Sequence, residues 1–316
     1  MVNPIETILR DFPLIVLDGA LATELERRGC DLNDPLWSAR VLIDAPDLIR
    51  QVHADYFRAG ADVATTATYQ ATFPGFAARG LREDEAADLL RRAVRVAQEA
   101  RNEFWADPAH RSGRPRPLVA ASVGPYGAYL ANGAEYTGDY DLSEEDLIAF
   151  HRPRLALLAG SGACLIAAET IPSRREARAL ARLLEEYGVP GWISLSGRDG
   201  AQTAHGEPIG EVAAELNQYR QVAAIGVNCT APRYIAELVR ALRAATDKPI
   251  LAYPNSGEGY DAKRNAWIGR GTADLAGPAA AWHAAGAQGI GGCCRTTPGQ
   301  IEELAAWARS TEMSRS

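Results

Sequence analysis

Short apolar runs alternate with longer amphipathic stretches along the whole chain, and eight such runs can be counted. They begin near Leu14, Asp62, Leu118, Ala163, Gly191, Val222, Pro249 and Gln288. The stretches between them carry helix punctuation: Pro46 opens one that Gly60 stops, Ser173 and Glu176 are spaced as a capping box for one that Gly188 stops, and Thr297 with Pro298 starts the last. Eight buried strands, each followed by a helix, predict a (β/α)8 TIM-type barrel of the α/β class. The 316 residues are 47% hydrophobic and 23% charged, enough for one large core. With no internal repeat, low-complexity tract or linker in view, residues 1–316 read as a single domain.

The early repeats are longer than the later ones, with extra residues after the first, second, third and seventh strands. Loops that follow strands build the active face of such a barrel. The informative residues fall there: Asp18-Gly19, Thr65 to Gln70, Ser122 to Gly127, Glu169-Thr170, Asn228-Cys229, Tyr253 to Glu258 and Gly291 to Arg295. By contrast, Ala106 to Pro117 precedes a strand and reads as a plain surface loop.

Cys293 and Cys294 stand side by side behind Gly291 and Gly292, and Cys229 ends another apolar run. Neighbouring residues of a flat strand point to opposite faces, so two adjacent thiolates share one ion only where the chain bends. The two glycines are expected to permit that bend. Three cysteines on a four-coordinate ion leave one position open, which distinguishes a catalytic zinc from a closed structural one. The alternatives are a strained vicinal disulfide or inert buried thiols. Five cysteines in a chain of this length do not make a secreted disulfide framework. Cys164, inside an apolar run, reads as buried and inert; Cys30 falls in a loop without a role.

Composition and residue placement exclude several classes. Lys plus Arg (33) against Asp plus Glu (40) gives a net charge of −7, so no global basic field favours nucleic acid. No stretch approaches the ~20 apolar residues that span a bilayer, and the expected location is the cytoplasm. A Schiff-base aldolase wants a lysine at a strand end, and Lys248 and Lys263 are not placed there. A histidine-rich zinc hydrolase fares no better: His53, His110, His151 and His283 fall in helical or surface contexts, and His205 in a loop. A cobalamin-dependent enzyme, which needs further domains for its cofactor, is not expected in 316 residues.

With these residues in place, the chain resembles the homocysteine S-methyltransferases, and among them the cytosolic S-methylmethionine-dependent branch. The resemblance covers nearly the whole chain. It is carried by Leu17-Asp18-Gly19-Ala20-Leu21-Ala22-Thr23-Glu24-Leu25, Ser122-Val123-Gly124-Pro125-Tyr126-Gly127, Glu169-Thr170, Gly226-Val227-Asn228-Cys229, Tyr253-Pro254-Asn255-Ser256-Gly257-Glu258 and Gly291-Gly292-Cys293-Cys294-Arg295-Thr296. It implies that Cys229, Cys293 and Cys294 bind zinc and that Asp18 and Glu169 hold the amino-acid end of homocysteine. Asn228, Tyr69, Asn255 and Ser256 are further candidates for substrate contact, with Glu258 behind them. Trp37, Tyr69, Tyr126 and Tyr129 fall in loops that should rim the site, where an aromatic face can hold a sulfonium.

The implied reaction moves a methyl group from S-methylmethionine, or S-adenosylmethionine, to the thiol of L-homocysteine, giving methionine. The alternatives are a methyltransferase acting on selenocysteine or another thiol, and a non-enzymatic zinc or redox sensor. The partners expected are small molecules; oligomeric state has no signature in the sequence.

Overall fold

The computed structural model describes residues 3–32, 37–261, 266–268, 271 and 274–313; Lys263 and the side chain of Trp37 lie outside them. Eight parallel strands form one sheet: β1 (Ile15–Val16), β2 (Val63–Thr65), β3 (Leu118–Val123), β4 (Leu165–Ile171), β5 (Gly191–Leu195), β6 (Val222–Asn228), β7 (Ile250–Tyr253) and β10 (Gly289–Ile290). A hairpin of β8 (Gly259–Asp261) and β9 (Ala266–Ile268) follows β7. The order β1-β10-β7-β6-β5-β4-β3-β2 leaves β1 and β2 at the two ends. They meet through the parallel bridge Leu17↔Val63: Asp62 N donates to Val16 O at 2.6 Å and Asp18 N to Val63 O at 3.1 Å. The sheet is thereby joined into a barrel with helices around it, as the alternation predicts.

Strand parity sorts the core into two layers. Val16, Ala121, Ile166, Ala168, Ile193, Ile225, Val227 and Ile250 face the helices. Ile15, Leu17, Val63, Ala120, Leu165, Ala167, Trp192, Ala224 and Leu251 fill the interior. The same inward parity, continued toward the strand C-terminal ends, brings Ser122, Glu169, Ser194, Asn228 and Tyr253 to the top of the barrel. The other end is plugged by the helix Pro4–Leu9, whose Ile5 and Ile8 join the interior cluster. Asn3 fixes that plug by capping the helix and donating its Nδ2 to Ala223 O at 2.9 Å.

The expected helix ends appear at Pro46–Arg58, closed by Gly60 at φ +107°, and at Arg174–Tyr187, closed by Gly188 at φ +61°. Two local expectations need correction. Ser173 accepts from Glu176 N at 3.3 Å, but Glu176 does not complete a capping box. Its carboxylate accepts instead from Tyr126 N at 2.6 Å, pairs with His151 Nε2 at 2.7 Å and takes the Tyr140 hydroxyl. The segment Ala106 to Pro117 is more than a plain loop. It contains a short 3-10 helix, Pro108–Arg111, and Arg114 donates to Phe57 O and Ala61 O while lying 3.6 Å from buried Asp62.

Candidate active site

Cys229 follows β6, and Cys293 and Cys294 follow β10, with β7 between these two strands. Their three sulfurs lie within 4.8 Å of one another, and Cys229 Sγ is 3.4 Å from Cys294 Sγ. Tetrahedral zinc with bonds of ~2.3 Å places its sulfurs about 3.8 Å apart, so these separations fit one ion. Without a cation three adjacent thiolates cannot all ionise. Donation from Cys293 and Cys294 holds the Cys229 thiol well below its ordinary range, while the thiols of Cys293 and Cys294 are pushed up, first of all by their bonds to Cys229. By geometry and donor chemistry, the three thiols could hold one metal ion.

The bend that lets adjacent cysteines converge differs from the expectation. Neither Gly291 nor Gly292 adopts positive φ; that conformation falls on Arg295 at +67°. Thr296 closes the turn by donating its N and Oγ1 to Cys293 O at 3.2 and 2.6 Å. The glycines are required for space instead: a Cβ at Gly292 would lie 2.3 Å from Thr296 Oγ1, and one at Gly291 2.5 Å from Leu17 Cβ. Among the described residues the non-glycine positions at positive φ are Ala131, Thr170, Cys229 and Arg295; Thr170 lies near the end of β4, Cys229 directly follows β6, and Arg295 stands in the turn after β10. Strain of this kind collects where a site dictates backbone direction.

Asp18 and Glu169 are buried, and neither has an ion-pair partner among the described residues. Ser122 Oγ donates to Glu169 Oε1, and the Tyr253 hydroxyl, itself held by Trp192 Nε1 at 2.9 Å, acts on the same carboxylate. Burial pushes the Glu169 carboxyl up to about 8, with the charge of Cys293 adding to the rise. Asp18 accepts from Thr65 N at 2.8 Å and Thr65 Oγ1 at 3.2 Å. Burial still raises it well above the carboxylate range, and Glu169 raises it further. Two carboxyls that oppose each other's ionisation are electrostatically ready for a cation.

The remaining candidates separate. Asn228 is saturated: its amide exchanges two hydrogen bonds with Thr170 and points Nδ2 at Cys293 Sγ across 3.7 Å. Tyr69 is half-buried, with Thr170, Cys229 and Cys293 near enough to act on its hydroxyl. Asn255 and Ser256 serve the loops. Asn255 Oδ1 accepts from Gly257 N at 2.9 Å; Ser256 N donates to Cys294 O at 3.1 Å and its Oγ to Glu258 Oε2 at 3.1 Å. Glu258 also pairs with Arg295 at 2.7 Å. Tyr126 and Tyr129 pack on each other and on Phe150, in an aromatic cluster with Tyr140. Cys164 is half-buried, its sulfur accepting from Val119 N at 3.4 Å and facing Arg101.

Tyr136 carries no motif, yet its hydroxyl lies 3.7 Å from Cys229 Sγ. It comes from the 3-10 helix Ala134–Tyr136 in the long loop after β3. Sequence offered only the length of that loop as a signal. Ser122 and Thr170 stand inside recognised motifs, but their partners are set by neighbouring strands.

A sequence model described as homocysteine S-methyltransferase matches residues 15–308. The chain is 55% identical to homocysteine S-methyltransferase YbgG of Bacillus subtilis, with 98% of each chain covered. It is 48% identical to selenocysteine Se-methyltransferase of Brassica oleracea, covering 92% of this chain and 87% of that one. The metallated crystal form of the homocysteine methyltransferase MmuM from Escherichia coli superposes with a TM-score of 0.87 at 47% identity, over 96% of this chain and 99% of that one. By its barrel, its strand-end motifs and these matches, the chain belongs to the homocysteine S-methyltransferase family.

Proposed function

We propose that the chain is a zinc-dependent methyltransferase that moves a methyl group from S-methylmethionine to the thiol of L-homocysteine. The observation that carries this reading is the convergence of three sulfurs, with separations suited to one zinc, beside two buried carboxyls that lack a counter-ion. Cys229, Cys293 and Cys294 would hold the metal. A zinc ion held there would supply the acidity that turns the incoming thiol into a thiolate.

Glu169 and Asp18 bind the homocysteine ammonium, which restores their charge in a setting that otherwise keeps them protonated. Ser122 and Thr65 orient the two carboxylates. Asn228 and Thr170 keep Cys229 in its left-handed conformation by tying the ends of β4 and β6. Transfer is an in-line displacement. A lone pair of the homocysteine sulfur forms the new S–CH3 bond, and the electron pair of the breaking bond stays on the donor sulfur. The sulfonium leaves as a neutral thioether, the thiol proton passes to solvent, and both products are methionine. No covalent enzyme intermediate is required.

A sensor that used the thiols only as a switch would leave the paired carboxyls without a purpose. The test is to mix zinc-loaded protein with S-methylmethionine and homocysteine labelled isotopically in its carbon chain. Labelled methionine detected by mass spectrometry is the expected result; its absence, with metal bound, overturns the reading.

A further inference from the structure

Glu135 is a half-buried acid near the thiols for which the reaction above has no use. It stands on the same 3-10 helix as Tyr136, whose hydroxyl touches Cys229 Sγ. Its Oε2 is buried with no hydrogen-bond partner among the described residues. The helix is seated firmly: Gly127 leaves room for Glu135 N and the Ala134 carbonyl, where a Cβ would approach to 2.4 and 2.6 Å, and Ser196 Oγ donates to Glu135 O at 3.4 Å. An orphaned carboxylate oxygen costs free energy unless something arrives to pair with it. Burial pushes the Glu135 carboxyl up to about 7.

The acids near the thiols act on different groups. Glu169 feels Cys293 and acts on Asp18. Glu135 acts on Tyr69 and Tyr136, and Tyr136 feels Cys229 and Cys294. Both substrates of the proposed reaction are amino acids, so two ammonium groups must be received. The first pair of carboxyls serves the acceptor. Resting on that reading, we propose that Glu135 is the specificity residue for the donor: it receives the α-ammonium of S-methylmethionine, beside Tyr69 and Tyr136.

The ammonium is a better partner than the sulfonium for a physical reason. The sulfonium loses its charge during transfer, so a carboxylate paired with it would stabilise the ground state more than the transition state. The ammonium keeps its charge throughout. Binding at Glu135 is therefore uniform and acts on KM, leaving kcat unchanged.

The test compares wild type with Glu135→Gln, using S-methylmethionine and 3-(dimethylsulfonio)propionate, a sulfonium donor without the amine. The variant should raise the KM for S-methylmethionine at least about tenfold, as expected for loss of a charge-assisted hydrogen bond, with kcat, homocysteine KM and zinc content unchanged. The KM for the amine-free donor should be the same in both proteins. An unchanged KM for S-methylmethionine, or an equal loss for both donors, overturns the assignment. Should the variant not fold, wild type alone decides: equal KM for the two donors overturns the proposal, and a higher KM for the amine-free donor supports it. Calorimetric binding of S-methylmethionine separates this subsite from the reaction. Wild type that binds it more tightly than Glu135→Gln, yet gives no methionine from homocysteine, supports the subsite and overturns the reaction; turnover with equal donor affinity in both proteins overturns the subsite alone.

Discussion

Asn228 and Thr170 hold each other through two hydrogen bonds of 2.8 Å, Thr170 N to Asn228 Oδ1 and Asn228 Nδ2 to Thr170 Oγ1. The pair joins the ends of β4 and β6, strands separated in the barrel by β5. It thereby couples the strand end carrying Glu169 to the loop carrying Cys229. Asn228→Ala should leave the barrel folded but loosen the cysteine that follows it. Removal of groups that orient metal ligands costs about 10- to 100-fold in metal affinity, and that range is expected here. Competition with a chromophoric chelator measures it; an unchanged zinc affinity would show that the pair does not hold the site.

The barrel and the cysteine trio were legible because each rests on a local signal. Strand and helix periods are printed in the sequence, and Gly-Gly-Cys-Cys with a distant Asn-Cys has few structural readings. What was not legible depends on which strands become neighbours. Asn228, Asn255 and Ser256 read as substrate contacts, and spacing does not reveal that the first also bonds Thr170 and the other two their own loops. Glu176 reads as half of a capping box because spacing cannot reveal the buried His151 that claims it. Tyr136 and Glu135 lie in a loop without period, positioned by Gly127 and Ser196 from other segments.

Cys229→Ala, Cys293→Ala and Cys294→Ala should each abolish turnover and greatly weaken zinc binding with the barrel intact. Removing the metal with a chelator should have the same effect and be reversed by zinc. The core is built from barrel strands and helices far larger than the site, so folding does not depend on the ion as it does in a zinc finger. Metal analysis and circular dichroism check both halves of the expectation. A single variant that retained its zinc and near-normal activity would remove that residue from the ligand set.

Glu169→Gln keeps the shape of the side chain and removes its charge. Homocysteine affinity should fall by roughly 2 to 5 kcal/mol, the cost of deleting one partner of a buried charged pair, with zinc content unchanged. Calorimetric titration of homocysteine into the zinc-loaded variant reads the loss directly. An unaltered dissociation constant would transfer the ammonium to Asp18 alone.

His53 is buried in the helix Pro46–Arg58, and neither ring nitrogen has a hydrogen-bond partner among the described residues. Burial lowers its pKa from 6.5 to about 4. The folded protein therefore carries it neutral, while the unfolded chain takes up a proton below 6.5. The unfolded state binds more protons between these values, so stability is complete above pH 6.5 and falls as pH drops toward 4. The contribution reaches ~3 kcal/mol at the acid end of that window. His53→Leu should remove this dependence and also the two orphaned nitrogens. Denaturant unfolding at pH 7 and pH 5 should show the variant gaining on wild type as pH falls; a constant difference would mean that His53 does not titrate between the two states.

Among methyl donors, S-methylmethionine should give the highest kcat/KM, S-adenosylmethionine a lower one, and betaine the lowest. Both sulfonium compounds release a neutral thioether, whereas betaine must release an amine from a carbon–nitrogen bond. The positive sulfur is drawn to the cluster of anionic sulfurs, with Tyr69 and Tyr136 beside it to face a cation. S-adenosylmethionine shares this advantage and the amino-acid tail, so the order between the two sulfoniums turns on the adenosine. The chain has no Gly-x-Gly-x-x-Gly loop of the common nucleotide-binding kind, and Tyr136 brings the long β3 loop to within 3.7 Å of Cys229 Sγ. That leaves a compact donor better matched than a bulky one, by at least about tenfold, equivalent to ~1.4 kcal/mol of transition-state stabilisation. Measuring kcat/KM for the three donors at saturating homocysteine tests the order, and a clear preference for betaine would overturn the sulfonium mechanism together with the donor side assigned to Glu135.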